Sequence, residues 1–130
     1  MKRPLARILL VVVGAGMLAG ALLTLLRPRT FEGRGPVRTI TLSMRDYAFN
    51  GTNPTLVLRA GERVRFVVRN DEDSPVRHNF EIPGLGVPPA EDLDPGGIRE
   101  VTVTAPLSGE YAYGCATHRG MGGKIVIRSR

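Results

Sequence analysis

The chain has 130 residues, 42% of them hydrophobic, with one cysteine, two histidines and a formal net charge of +6 at pH 7. Of its 18 Lys and Arg residues three precede residue 27, which leaves fifteen against twelve Asp and Glu in the remainder, a net charge of +3. This small excess, mixed along the chain, is typical of a solvated surface and does not indicate nucleic-acid binding. The length suits one domain of about 100 residues, and the single cysteine excludes an internal disulfide.

Residues 1–26 predict an export segment. Lys2, Arg3 and Arg7 precede an uncharged run of nineteen residues from Ile8 to Leu26, which as a helix would be about 28 Å long and could cross a bilayer. It is either an uncleaved anchor or a secretory signal with small residues at 19–21, and the leucines that continue past that site favour the anchor. The basic residues before the run place the N-terminus in the cytoplasm. We therefore expect a periplasmic or otherwise extracytoplasmic protein, tethered to the membrane by residues 8–26.

Residues 27–36 contain Pro, Gly and charge without periodicity, which predicts a linker. The domain is predicted over 37–130, where "VRTITLSM" and "ERVRFVVRN" alternate apolar with polar residues as half-buried strands do. Further strands are predicted at 55–59, 78–82, 98–104, 109–115 and 124–128. Seven to eight short strands with Gly/Pro punctuation indicate an all-β sandwich. The Pro- and Gly-rich stretch 83–97 has the length of a functional loop.

Three of the four candidate metal ligands lie near the C-terminus. Cys115, His118 and Met121 fall within seven residues at the end of a predicted strand, and His78 begins another predicted strand 37 residues before Cys115. Two imidazoles, a thiolate and a thioether form the ligand set of a mononuclear type 1 (blue) copper site. A metal also explains why an exported protein would keep a lone thiol that is otherwise exposed to oxidation.

The same residues are also compatible with other kinds of site. Zinc also binds Cys and His, and three ligands with water would make a catalytic zinc site, but zinc seldom takes methionine and ranks below Cu(II) in affinity. A nucleophilic pair of Cys115 and His118 leaves His78 and Met121 unexplained. Covalent haem requires C-x-x-C-H, which "CATH" does not supply, and a dinuclear copper site requires a second cysteine. Copper is preferred, with zinc its main competitor.

These residues resemble the cupredoxin family of type 1 blue copper proteins. The spacing Cys-x-x-His-x-x-Met over 115–121 is most similar to the loop of its amicyanin members, whereas plastocyanin-like members have a loop two residues longer before methionine. The stretch "RHNFEI" resembles the family's His-Asn stretch. The similarity extends over about residues 37–128, including "YAFNGTNPTLVLRAGERVRFVVRND". It implies a cupredoxin-like Greek-key β-sandwich that binds one Cu(I)/Cu(II) ion. The implied ligands are His78, Cys115, His118 and Met121, with Asn79, Ala116 and Thr117 beside them.

The chain departs from the family pattern at two of these positions. Thr117 stands where the family usually has a proline between Cys and His. Ala116 stands where the family usually has a residue with a hydroxyl group, which the side chain at the position of Asn79 contacts. Asn79 is therefore expected to bond to the backbone or to Thr117. The backbone N–H that Thr117 restores is expected to lie near the sulfur, where an added hydrogen bond would favour Cu(I).

The resemblance implies a one-electron carrier that is not an enzyme and has neither a small-molecule substrate nor a nucleic-acid partner. Its expected partners are redox proteins that dock near His118. The chain is also expected to contact the membrane through its N-terminal helix. The alternative is a periplasmic copper-handling protein that stores or delivers the metal with the same ligands. A third possibility is an interaction module whose copper is only structural.

Overall fold

A computed structural model describes residues 35–129 of the chain. This part folds into seven β-strands with one short 3-10 helix between the fourth and fifth. The strands are β1 (Val37–Arg45), β2 (Ala48–Phe49), β3 (Leu56–Arg59), β4 (Arg63–Asn70), β5 (Ile98–Thr104), β6 (Gly109–Gly114) and β7 (Gly122–Arg128), and the 3-10 helix is Pro83–Leu85. The predicted all-β domain of seven to eight strands is thereby confirmed.

The strands form two sheets, with the orders β2-β1-β4-β5 and β3-β7-β6. The pairs β1/β4 and β3/β7 are parallel and the other pairs are antiparallel. In the β1/β4 pair Val37 lies opposite Arg63 and Met44 lies opposite Asn70. The start of β1 therefore lies at one end of the sheet, and the β1–β2 turn lies at the other.

The core is formed by the side chains on the buried face of the strands, where buried and exposed residues alternate. In β4 Val64, Phe66 and Val68 are buried, whereas Arg63, Arg65 and Arg69 are exposed and Val67 is half-buried. This agrees with the period of two in the sequence. Phe49 packs edge-on against Phe80 and Tyr113, with ring centroids 5.8 and 5.2 Å apart. Full burial of such side chains stabilises the fold by roughly 1.5–3 kcal/mol each. This aromatic cluster joins β2 and β6 to the segment that follows His78.

The predicted strand over 78–82 is wrong. The segment is tied by isolated bridges that join His78 to Leu93, Glu81 to Gly114, and Ile82 to Val87. Phe80 and Ile82 are fully buried, so the apolar alternation is real, but the partners come from different parts of the fold and no continuous ladder forms. The two-residue β2 was not predicted, because it is too short to show a periodicity.

The predicted N-terminal segment 1–26 and residues 27–34 of the predicted linker lie outside the described residues. Within 35–129, no helix combines the length and apolar character needed to cross a bilayer.

Candidate metal centre

The structure brings three of the predicted ligands to one point. Cys115 directly follows β6, His118 lies in the loop before β7, and His78 precedes the buried Phe80. One donor atom from each of these residues lies within 4.8 Å of the others. The Nδ1 atom of His118 is 3.1 Å from Nδ1 of His78 and 3.4 Å from Sγ of Cys115. Such separations suit donors that share one ion at about 2.0–2.3 Å.

Burial distinguishes the four predicted ligands. His78 is fully buried, and Met121 and Cys115 are 3% and 7% exposed. His118 is half-buried and is the one of the four that reaches solvent. Met121 belongs to the same buried apolar cluster as Cys115. The donors are therefore enclosed by the fold, with a single imidazole at the surface.

The loop from Cys115 to Met121 is closed on itself. The backbone N–H of Cys115 donates to the Met121 carbonyl at 2.9 Å, and the N–H of Met121 donates to the His118 carbonyl at 3.2 Å. Gly120 has φ +82, a left-handed conformation that glycine adopts without strain. A Cβ at Gly123 would lie 2.6 Å from the hydroxyl oxygen of Tyr113. Glycine at position 123, in β7, therefore permits tight packing of that strand against Tyr113.

Two groups approach the cysteine sulfur from neighbouring residues. The backbone N–H of Asn79 donates to Sγ at 3.4 Å, and the hydroxyl of Thr117 lies 3.2 Å from Sγ. The expectation that the backbone N–H of Thr117 serves the sulfur is corrected, because the structure places the Thr117 side-chain hydroxyl there. Hydrogen bonds to a metal-bound thiolate reduce its electron donation and so tune the metal.

The Asn79 side chain joins three parts of the site. Its Oδ1 accepts the backbone N–H of Ala116 at 2.7 Å, and its Nδ2 donates to Oδ1 of Asp92 at 2.8 Å. Asn79 therefore uses the backbone after the cysteine, one of the two partners expected for it. Because Asn79 is only 4% exposed, these bonds link the His78 segment, the ligand loop and the long loop 83–97 through a buried side chain.

Sequence reasoning missed a carboxylate behind His78. Oε1 of Glu72 lies 2.7 Å from Nε2 of His78, and the Glu72 side chain is 6% exposed. The hydrogen bond with His78, assisted by the backbone N–H groups of Asp46 and Tyr47, holds the pKa of Glu72 below its usual 4.5, although burial opposes this shift. Glu72 belongs to "DEDSP", which in sequence shows only a turn; an acid six residues before a histidine carries no specific signal.

Two further residues near His78 had no signal in the sequence. The ring of Tyr47 packs edge-on against His78 and His118, with centroids 5.8 and 5.0 Å away. Asn70 is fully buried, and its Nδ2 donates to the carbonyls of Val76 and Leu93 at 2.9 and 2.8 Å. Its amide therefore anchors the chain on both sides of the His78–Leu93 bridge.

The donor set fits a copper ion better than zinc. Because Nε2 of His78 contacts a carboxylate, the proton belongs on Nε2 and Nδ1 is left to bind the metal. A thiolate suits Cu(I) and imidazole remains acceptable to Cu(II). Met121 is buried, and its backbone carbonyl accepts the N–H of Cys115. The ligand loop therefore also carries a soft thioether, the kind of group that copper sites take as a weak additional ligand.

Comparisons with known proteins agree with this geometry. The family model described as cupredoxin-like domain matches residues 16–127, whereas no curated protein sequence matches significantly. Among solved structures, auracyanin A, a "blue" copper protein from Chloroflexus aurantiacus, has a TM-score of 0.56 and 21% identity, over 72% of this chain and 100% of its own.

Two copper enzymes share the fold over part of their length. The copper-containing nitrite reductase from Thermus scotoductus has a TM-score of 0.59 at 24% identity, and the blue copper oxidase from Nitrosomonas europaea has 0.60 at 22%. Each match covers 73% of this chain, but only 28% of the reductase and 40% of the oxidase. At these identities the likeness shows the fold alone, and the chain spans less than half of either enzyme.

Proposed function

The chain belongs to the cupredoxin-like domain family and is a blue copper protein with one copper ion, and we propose that it works as a one-electron carrier rather than as an enzyme. The ion is assigned to His78, Cys115, His118 and Met121. When bound, it supplies the Cu(II)/Cu(I) couple. The protein contributes a fixed arrangement of donors and a short path to the surface.

The observation that carries this proposal is the burial of the donors. His78, Cys115 and Met121 are between 0% and 7% exposed, so a substrate could not reach a metal among them, whereas an electron needs only close approach. His118 is the most exposed of the four, and its imidazole offers the route for the electron. A reaction with a small molecule would instead need an open coordination position in a cleft.

We further propose that a redox protein docks at the end of the domain where His118 is found. The exposed residues beside it include Arg119, Gly120 and Tyr47, the last 54% exposed. Brief redox encounters use small interfaces, below about 1,200 Å² in total.

The proposed location is extracytoplasmic, with residues 8–26 as the membrane tether. Gly35 and Val37 lie at the end of β1 that pairs with Arg63, whereas Tyr47, beside His118, follows the other end of β1. Membrane fractionation of the full chain and the mass of its mature N-terminus test this: a soluble chain that retains residues 1–26 contradicts the tether.

The copper assignment is tested by the visible absorption and EPR spectra of the full chain loaded with Cu(II). An intense thiolate-to-copper band is expected, and Cys115→Ser should abolish it. Met121→Leu should change the spectrum or the reduction potential, whereas Met44→Leu, which alters another buried methionine, should change neither. A colourless Cu(II) protein, or one in which both methionine variants behave alike, contradicts the ligand set.

A second experiment separates a carrier from a copper-handling protein. Reversible reduction with fast electron self-exchange, and no release of copper to a metal-free acceptor or chelator of moderate affinity, is expected for a carrier. Rapid transfer of the metal with slow self-exchange would instead establish storage or delivery. Either result leaves the copper assignment intact, since both functions use the same ligands.

A further inference from the structure

Charge is unevenly distributed over the domain. Residues 35–129 contain eleven Lys and Arg and eleven Asp and Glu, so their net charge is zero. Four arginines and one glutamate lie at one end of the sandwich, where β1 and β4 begin and β3 and β7 end. We call this the arginine end; it comprises residues 35–38, 59–63, 104–109 and 127–129. Its net charge is +3, so the rest of residues 35–129 carries −3.

Backbone hydrogen bonds hold the segments of the arginine end together. The N–H of Ala60 donates to the Arg128 carbonyl at 2.9 Å, and the N–H of Gly61 donates to the Ala105 carbonyl at 3.0 Å. In the register of β3 and β7, Arg59 lies directly opposite Arg128. The arginines therefore sit on strand ends and one tight turn that are fixed to each other.

Three of the four arginines form no ion pair within residues 35–129. Only Arg38 does, with Nη1 3.3 Å from Oε1 of Glu62. Arg59, Arg63 and Arg128 are exposed. Elsewhere in the domain four arginines each have a carboxylate partner, namely Arg45, Arg65, Arg69 and Arg77. Like charges at opposed strand positions are destabilising, so the pair Arg59 and Arg128 favours binding of an anion from outside the domain.

Apolar side chains are exposed beside these arginines. Leu107, in the turn between β5 and β6, is 70% exposed, and Val37 is 41% exposed. Val37 also lines an open recess of about 880 Å³ together with Arg38, Arg59 and Arg63. Surfaces that bind at the bilayer interface combine arginine or lysine with leucine in this way, because anionic headgroups there adjoin the acyl chains.

We propose that the arginine end docks on anionic phospholipid headgroups, with Leu107 entering the headgroup layer. This inference rests on the proposed membrane tether. Residues 27–34 contain three arginines and one glutamate, and these eight residues span at most about 30 Å. A tether at 8–26 would keep the arginine end within that distance of a bilayer. Because Cys115 follows the opposite end of β6, docking turns the copper centre away from the lipid.

A tryptophan reporter measures the docking, since the chain has no tryptophan of its own. Leu107→Trp places the reporter at the arginine end. Ile98→Trp is the matched control, because Ile98 is 53% exposed and begins β5 at its opposite end. Each full chain, with its copper kept as Cu(I) by ascorbate, is inserted into preformed vesicles with brominated acyl chains. The lipid is either phosphatidylcholine alone or a two-to-one mixture of phosphatidylcholine and phosphatidylglycerol.

The expected result is a difference between the two reporters. With phosphatidylglycerol present, the emission of Leu107→Trp should shift to the blue and its quenching by bromine should increase about twofold, since anionic lipid attracts the arginines. The emission of Ile98→Trp should be the same in both kinds of vesicle. Raising the salt from about 0.1 to 1 M shortens the Debye length from about 10 to 3 Å and should release the Leu107→Trp reporter while the full chain stays with the vesicle.

Removal of the arginines tests the electrostatic part. Each arginine near an anionic surface strengthens binding about fivefold. In the triple variant Arg59→Gln, Arg63→Gln and Arg128→Gln, the ratio of docked to undocked reporter should therefore fall about a hundredfold. A control triple variant removes the same charge from arginines that have acidic partners, Arg45→Gln, Arg65→Gln and Arg69→Gln. It should keep the quenching.

Several outcomes would overturn the docking surface. These are equal quenching of the two reporters, quenching that does not depend on phosphatidylglycerol, and an equal loss in the two triple variants. Release of the reporter by inorganic phosphate, at an ionic strength where sodium chloride has no effect, also overturns it, because the arginines would then bind a small anion rather than a bilayer.

Failure of the proposed function gives different results. Flotation of the full chain with vesicles of phosphatidylcholine alone tests the tether, and the thiolate-to-copper band tests the copper site; neither depends on the arginines. A chain that does not float with neutral vesicles contradicts the tether. The Leu107→Trp reporter in vesicles with phosphatidylglycerol still decides whether the arginine end docks.

Discussion

The hydroxyl of Tyr113 makes the domain's stability depend on pH in the alkaline range. Tyr113 is 2% exposed and donates to the Pro54 carbonyl at 2.6 Å. Burial raises its pKa from 10.0 to about 12. Because the folded pKa lies above the unfolded one, this stabilisation is complete below pH 10 and is lost as the pH rises from 10 to 12. At about 1.4 kcal/mol per unit, the loss over that window is about 2.7 kcal/mol.

The effect of Tyr113→Phe on the free energy of unfolding should therefore change sign as the pH rises. At pH 8 the variant should be less stable by about 1–2 kcal/mol, since the Pro54 carbonyl loses its partner. Near pH 12 it should be the more stable of the two, because phenylalanine has no proton to lose. Urea unfolding followed by far-UV circular dichroism at pH 8, 10, 11 and 12 measures this, with Tyr111→Phe, at a half-buried tyrosine, as the control. Parallel profiles for Tyr113→Phe and wild type would refute the reasoning.

Three further predictions concern the ligand loop. Asn79→Ala removes the bonds to Ala116 and Asp92, so we expect about 2–4 kcal/mol lower stability in urea unfolding and faster copper loss to a chelator; an unchanged midpoint contradicts this. Gly123→Ala should lower Tm more than Gly120→Ala, because its Cβ would meet the Tyr113 hydroxyl at 2.6 Å whereas Gly120 has open space and only an unfavourable φ; the reverse order would be inconsistent with the packing. Thr117→Val removes the hydroxyl beside Sγ and should lower the reduction potential by voltammetry; a rise or no change contradicts a hydrogen bond to the sulfur.

The sequence predicts strands well where one face of a regular ladder is buried. In β4 the apolar residues Val64, Phe66 and Val68 recur at every second position, and arginines occupy most of the positions between and beside them. The period of two therefore identifies both the strand and its inner face. The segment 78–82 has the same alternation yet forms only bridges to residues 87, 93 and 114. Periodicity reports which side chains are buried; the backbone partners depend on tertiary structure, and so the ladder could not be predicted.

The candidate ligands could be predicted because their chemistry is rare in this chain. One cysteine and two histidines leave few choices, and the close spacing of Cys115, His118 and Met121 brings soft donors together locally. Glu72 and Tyr47 offered no such signal, since acids and tyrosines occur at many exposed positions. A two-residue turn with both φ values positive usually contains Asn and Gly, so "DY" at 46–47 gave no reason to expect a tight hairpin at the metal centre.

The rigidity that a carrier requires comes from the way the ligand segments are bonded to each other. Glu81, three residues after His78, exchanges two backbone hydrogen bonds with Gly114, at 2.9 and 3.1 Å, immediately before Cys115. The Arg99 guanidinium on β5 donates to the Phe80 carbonyl and, at 3.0 Å, to the Pro88 carbonyl. Within the described residues no buried side-chain nitrogen or oxygen lacks a partner.

His78 and Cys115 therefore cannot move apart without breaking these hydrogen bonds, each of which contributes about 0.5–1.5 kcal/mol to stability. His118 is held differently, since it lies in the loop and is half-buried. Its freedom is restricted on one side by the Tyr47 ring, 5.0 Å away. The ligand at the proposed docking surface is thus the one whose position depends on an exposed side chain, so contact with a partner at Tyr47 would act on the electron path itself.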